Sequence, residues 1–226
     1  MPHITHNDQR LFYREQGEGR LLLVLPGNTA SSACHPAELD YFGQRYRAVS
    51  LDFLGTGQSD RIEVWPDDWW EQSARAAMAL VDHLDQDQCL VMGTSGGGVV
   101  ALFTAVLFLE RVEAVIADSC VEKFRPDWIR TVISIRNQRT PDQVSFWQHA
   151  HGDDWAQVVE ADSDLFRRLA ERGGAFFNGH LRQIRCPVLF TASLQDQALQ
   201  NVGAQVCSMC QQIPESRTFL VNGGGH

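Results

Sequence analysis

Six short, almost uninterrupted apolar runs separated by helix-length stretches limit this chain to very few architectures. The runs fall at residues 20–26, 46–53, 88–94, 112–119, 186–193 and 217–222. Strict alternation of apolar and polar residues marks a strand with one face in water, whereas a run such as "RLLLVLP" marks a strand buried on both faces. Helical candidates occupy residues 67–84, 97–109 and 197–212. Strands joined by crossovers of that length specify an α/β fold: a doubly wound, mostly parallel sheet with helices on both sides. Ahead of them, "HITHND" and "RLFYREQ" alternate more and meet at a turn, so they read as an antiparallel edge hairpin.

The alternation breaks between residues 121 and 185. That interval is rich in helix starts, most clearly at "TPDQ", where Thr140 can cap, Pro141 suits the first helical position and Gln143 can complete a capping box. It also holds Trp128, Phe146, Trp147, Trp155, Phe166, Phe176 and Phe177. The expectation is a helical cap insertion over the carboxyl edge of the sheet, where doubly wound folds place their ligand crevice. With 226 residues and no internal repeat, a single domain over residues 1–226 accommodates all of this.

A net charge of -9 repels polyanions, which argues against nucleic acid or an anionic membrane surface and for a small-molecule substrate. No apolar run approaches the roughly 20 residues needed to cross a bilayer, and "MPHITHNDQRLFYREQ" does not look like a secretory signal. A cytoplasmic protein is expected; oligomeric state is not legible. The six cysteines, Cys34, Cys89, Cys120, Cys186, Cys207 and Cys210, read as reduced, mostly buried thiols. Cys207 and Cys210 form a lone C-x-x-C with no second pair beside it, so neither a metal nor a cofactor is expected.

The chemistry centres on "MGTSGGGVVAL". Gly93, Thr94, Ser95, Gly96 and Gly97 match G-x-S-x-G between a predicted strand and a predicted helix. A sharp strand-to-helix turn strains its central residue and requires small neighbours two positions either side. It leaves the hydroxyl at the sheet edge with a helix N-terminus behind it. A phosphate-binding loop is the competing reading, but neither G-K-[ST] nor G-x-G-x-x-G is present. A serine needs a base and an orienting acid, in the chain order serine, acid, histidine for this kind of turn. Asp196 follows the strand at 186–193, and His226 follows the last one. Asp118, closing the strand at 112–119, is the rival acid, and Asp52 reads as a loop stabiliser. Of the other histidines, His3, His6 and His83 fall on surface elements, while His35, His149, His151 and His180 are pocket candidates. The backbone amides of Gly96 and Asn28, with Thr29 as fallback for Asn28, are candidate donors to a developing oxyanion.

"VLPGN", "LDFLGTGQSD", "GTSGGG", "PVLFTASLQD" and "NGGGH" together resemble the alpha/beta-hydrolase superfamily from about Leu11 to His226. Within it the chain is similar to small esterases with a compact helical cap, of the valacyclovir-hydrolase or enol-lactonase kind. The resemblance implies Ser95 as nucleophile, His226 as base, Asp196 as acid, and Asn28 and Gly96 as oxyanion donors. Pro26-Gly27 stands where the family has His-Gly, and Ser193 where a glycine is common. Family members continue beyond the histidine into a final helix, so a truncated chain is the expectation.

These readings converge on two-step acyl transfer from a small ester, lactone or thioester through Ser95. C–C hydrolysis and perhydrolysis can reuse the same residues, and a non-catalytic small-molecule binder on the same scaffold is the rival class. The aromatic insertion predicts an apolar pocket, with Trp128, Trp147 and Trp155 as its expected lining. Arg136 and Arg139 read as a solvated helix face, with attraction of a substrate acid group as the alternative.

Overall fold

The computed structural model describes residues 2–226. Its sheet has eight strands in the order β1-β2-β4-β3-β5-β6-β7-β8. In chain order they are β1 (His3–His6), β2 (Gln9–Gln16), β3 (Leu21–Leu25), β4 (Arg47–Leu51), β5 (Cys89–Thr94), β6 (Val112–Asp118), β7 (Val188–Ser193) and β8 (Ser216–Val221). The hairpin β1/β2 is antiparallel, with His3 opposite Phe12, and β2 also runs antiparallel to β4. Its turn residues Asn7 and Asp8 both have positive φ, 51° and 62°, which matches the right-handed twist of a tight hairpin. Every pairing from β4 across to β8 is parallel.

The central strand shows why an uninterrupted apolar run was required. All five residues of β3 are buried; Leu21, Leu23 and Leu25 enter the main core, while Leu22 and Val24 enter a smaller one beneath α1 (Pro36–Phe42). Successive side chains on a strand point to opposite faces, so helices cover both sides of this sheet. The main core takes the buried sides of α2 (Trp69–His83) and α3 (Gly96–Leu107), which pack together. Between β6 and β7 run α4 (Pro126–Arg136), α5 (Pro141–His151) and α6 (Trp155–Glu171). The start of α5 carries the expected capping box between Thr140 and Gln143. The last helix, α7 (Val202–Gln212), starts later than residue 197, because residues 196–201 form the loop that carries Asp196.

One strand departs from expectation. The run at 217–222 is not buried on both faces: β8 is a sheet edge, and its Phe219 is 64% exposed. It pairs on one side with β7 and packs on α7.

The junction between α3 and β3 is a backbone-to-backbone contact that positions the site. A Cβ at Gly97 would lie 2.1 Å from the carbonyl oxygen of Leu25, and both partners are backbone that cannot yield independently. The cost of such overpacking is about 1–3 kcal/mol and upward. Gly97→Ala is therefore expected to lower the urea-unfolding free energy by about 3 kcal/mol, whereas Gly223→Ala, with open space around its Cβ position, changes it by less than about 0.5 kcal/mol.

Candidate active site

Ser95 stands between β5 and α3 with φ 56° and ψ -121°, a left-handed conformation costing on the order of 1–3 kcal/mol in a non-glycine residue. The amide of Ser95 donates to the carbonyl of Asp118 at 2.8 Å, and its own carbonyl accepts from Gly98 and Val99 as α3 begins. The flanking glycines make the turn sterically possible. A Cβ at Gly93 would meet the Gly97 carbonyl oxygen at 2.0 Å, and one at Gly96 would sit 1.6 Å from Asn28 Oδ1.

The structure brings Ser95, His226 and Asp196 into one chain of hydrogen bonds. Ser95 Oγ lies 2.9 Å from His226 Nε2, and His226 Nδ1 lies 2.7 Å from Asp196 Oδ2. The other carboxylate oxygen of Asp196 accepts from the amides of Ala198 and Leu199 at 2.9 and 3.1 Å, which fixes its rotamer. Asp118 is not part of this arrangement; its Oδ1 accepts from the Thr191 hydroxyl at 2.5 Å. Beside Ser95, a Cβ built on Gly96 would fall 3.0 Å from the amide nitrogen of Asn28, so the two proposed donors are neighbours. Among the described residues neither amide has a protein acceptor. Asp52 is the loop stabiliser expected: buried, it accepts from Ser32 and Gln58 amides at 2.6 and 2.7 Å. Burial holds its carboxyl above the usual range.

These groups open into a cavity of about 710 Å³ between the carboxyl ends of the strands and helices α4–α6. Its aromatic wall differs from expectation. Trp128, Trp147 and Trp155 do not line it; Phe124, Phe146, Phe166 and Phe176 do. Two of these indoles give their polar edge to an acceptor in a neighbouring loop. Trp128 donates to the carbonyl of Ala198 at 2.9 Å, behind the Asp196 loop. Trp147 donates to Thr29 Oγ1 at 3.3 Å and stacks on Trp155. Of the four histidines expected near a pocket, His35 reaches this wall while His149, His151 and His180 do not. The thiols of Cys34 and Cys120 also reach it, but burial raises both, Cys120 to about 12, so neither is a thiolate at neutral pH.

One residue at the site, Asp162, is not singled out by the sequence. Asp162 of α6 is wholly buried, accepting from the Asn28 side-chain amide through Oδ1 and from Arg136 of α4 through Oδ2. Arg136 is thus no solvated face: its guanidinium stacks 5.0 Å over Phe166 and lines the cavity. Arg139, by contrast, lies 5.6 Å over the Trp155 ring. The available signal was a charge at a stripe position: Asp162 falls on the same helical face as Val158, Val159, Leu165, Phe166 and Leu169. His151, expected to line the pocket, instead joins two loops. It accepts from the Gly57 amide through Nδ1 and lies 3.0 Å from the carbonyl of Thr29 through Nε2, so the neutral tautomer carries its proton on Nε2.

Residues 22–226 match the alpha/beta hydrolase family. The chain belongs to that family. Haloalkane dehalogenase 2 of Mycobacterium tuberculosis is 32% identical over 107 residues, covering 47% of this chain and 37% of the dehalogenase. The match therefore spans well under half of that relative. Serine hydrolase BPHL of Mus musculus is 24% identical over 239 residues, which cover 99% of this chain and 79% of the relative. The enol-lactonase of Burkholderia xenovorans LB400 superposes with a TM-score of 0.76 at 19% identity, over 98% of this chain and 91% of that one, and so shares the alpha/beta hydrolase fold. Among the described residues no helix is long and apolar enough to cross a membrane.

The buried imidazole gives this alpha/beta hydrolase a measurable acid sensitivity. Burial, reinforced by the Arg61 guanidinium and opposed by the Thr29 contact and Asp154, pushes His151 down to about 4. The unfolded chain takes up its proton near the ordinary value of about 6.5, so this contribution is full above that value and falls away as pH drops toward 4. Between pH 7 and pH 4.5, urea titrations are expected to show wild-type protein losing about 2–3 kcal/mol more stability than His151→Gln.

Proposed function

We propose that the protein is a serine hydrolase that cleaves small carboxylic esters or lactones through an acyl-enzyme on Ser95. The observation that carries the reading is the hydrogen-bonded sequence Ser95–His226–Asp196 at the mouth of an apolar cavity, next to the free amides of Asn28 and Gly96. His226 Nε2 takes the proton as Ser95 Oγ attacks the carbonyl carbon; the negative charge that moves onto the carbonyl oxygen is received by the two amides. The proton then passes from His226 to the departing alcohol as the C–O bond breaks. Water, deprotonated by the same imidazole, attacks the acyl-enzyme and releases the acid. Throughout, Asp196 holds Nδ1–H and favours the cation that His226 becomes. Oxyanion donors of this kind contribute about 2.7–4 kcal/mol each in comparable sites.

The partial likeness to haloalkane dehalogenase 2 does not carry dehalogenation over. Displacement of halide by the Ser95 hydroxyl would leave an alkyl ether, which has no carbonyl for water to attack and would stop the enzyme after one event. An acyl group on the same oxygen is hydrolysable. The phenylalanine-lined cavity favours an apolar or aromatic acyl group.

A fluorophosphonate probe is expected to label the wild-type protein at one equivalent and to leave Ser95→Ala unlabelled. In a series of p-nitrophenyl esters of graded acyl length, Ser95→Ala is expected to lose kcat on the order of 10⁴-fold or more, and Asp196→Asn on the order of 10³–10⁴-fold. Absence of both labelling and turnover in the wild type would favour a binding protein on this scaffold.

A further inference from the structure

The loop that supplies the Asn28 amide is held chiefly from outside the sheet. The Asn28 side chain is gripped at both ends: its nitrogen donates to buried Asp162 of α6, and its Oδ1 accepts from Trp70 Nε1 of α2 at 3.3 Å. Thr29 has a positive φ of 58° and is fastened by α5, through Trp147 to its hydroxyl and His151 to its carbonyl. Two more bonds to α5 follow, from Ser31 Oγ to the Ala150 carbonyl at 2.8 Å and between His149 Nε2 and the Ala33 carbonyl at 3.0 Å. The ten residues that connect β3 to α1, with Thr29 strained among them, do not need this many side-chain contacts to make the connection.

Asp162 is the costliest of these groups. A carboxylate removed from water is tolerated only when charge-paired and hydrogen-bonded, and Arg136 and Asn28 provide those partners. An apolar residue at this stripe position would pack into α6 without that cost. The carboxylate gains its meaning from what it holds, and its target is the residue whose backbone N–H sits beside Gly96.

We infer that Asp162 is a positioning residue: by clamping the Asn28 side chain against Trp70, it aims the Asn28 backbone N–H at the developing oxyanion, so that α4–α6 complete the reaction site as well as covering it. The inference rests on the serine-hydrolase reading above. Neither Asp162 nor the Asn28 side chain takes part in a covalent step. The consequence is kinetic: an amide displaced by about 1 Å loses far more transition-state than ground-state stabilisation, with losses on the order of 10²-fold. Substrate affinity, set by the phenylalanine walls, is left nearly intact.

The test compares kcat and KM for p-nitrophenyl butyrate in wild type, Asp162→Asn, Asp162→Ala, Asn28→Ala and the Asn28→Ala/Asp162→Ala double variant. Asp162→Asn keeps an acceptor for Asn28 and is expected to retain kcat within about fivefold; Asp162→Ala and Asn28→Ala should each lose about 50-fold in kcat with KM within about twofold. Because both act through one side chain, the double variant should be no slower than the slower single one. Losses that multiply, a change confined to KM, or an Asp162→Asn enzyme as slow as Asp162→Ala would each overturn the inference while leaving Ser95 chemistry standing. A wild-type protein silent toward every ester would overturn both. Thermal melts accompany each variant, and should Asp162→Ala not fold, Trp70→Phe replaces it, since Trp70 holds the other end of the same amide. That substitution should lower kcat in the wild-type background and have no further effect on Asn28→Ala; equal losses in both backgrounds overturn the inference.

Discussion

Everything at this site follows from one backbone reversal. Between β5 and α3 the chain turns from strand to helix across a single residue, and Ser95 takes up the left-handed conformation that this requires. A strained residue persists only where its surroundings over-determine it. Here they do: the Asp118 carbonyl holds its amide, the first turn of α3 holds its carbonyl, and the lack of side chains at Gly93 and Gly97 lets helix and strands meet at backbone distance. Any displacement of α3 from β3 would relax the turn and withdraw the hydroxyl from His226.

A parallel sheet then turns that local constraint into a shared edge. Since β3, β5 and β7 all run in the same direction, the residues that follow them emerge on one rim: Asn28 after β3, Ser95 after β5 and Asp196 after β7. His226, beyond β8, completes the set. Residues separated by as much as 131 positions are therefore adjacent without any local sequence signal joining them. Order along the strands of the sheet does what proximity in sequence cannot.

This explains which parts of the molecule could be read in advance. Strand identity was legible because burial on both faces leaves an unbroken apolar run, as β3 shows, and the serine turn was legible because steric necessity writes glycines around it. Asp196 and His226 followed from chain order. The exposure of β8 was not legible: the run at 217–222 has the composition of a strand buried on both faces, yet Phe219 stands on a face that the described residues leave in water. The cavity lining was not legible because the composition of the insertion does not say which rings face the cavity; phenylalanines do, and Trp128, Trp147 and Trp155 do not. Asp162 was missed because patterns of hydrophobicity treat a charge within an apolar stripe as an interruption, when it is the place where a helix reaches across to a partner of opposite or complementary polarity.

The polar groups buried around the site share that logic. Asp52 satisfies the amides of Ser32 and Gln58, His151 joins Gly57 to Thr29, and Asp162 joins Arg136 to Asn28. Each pins the β3–α1 loop, or the loop after β4, to an element distant in sequence. Apolar packing alone would hold these loops against the core at less electrostatic cost, but it is non-directional and would leave the orientation of an individual N–H unspecified. Hydrogen bonds from rigid helices specify that orientation to within a fraction of an ångström. In the proposed reaction such precision matters at one place, where the amides of Asn28 and Gly96 would meet one oxygen atom at the moment it becomes charged. The buried polar groups on the loops beside Ser95 are therefore what the proposed acyl transfer would require of a scaffold whose remaining stability comes from burying leucine, valine and phenylalanine.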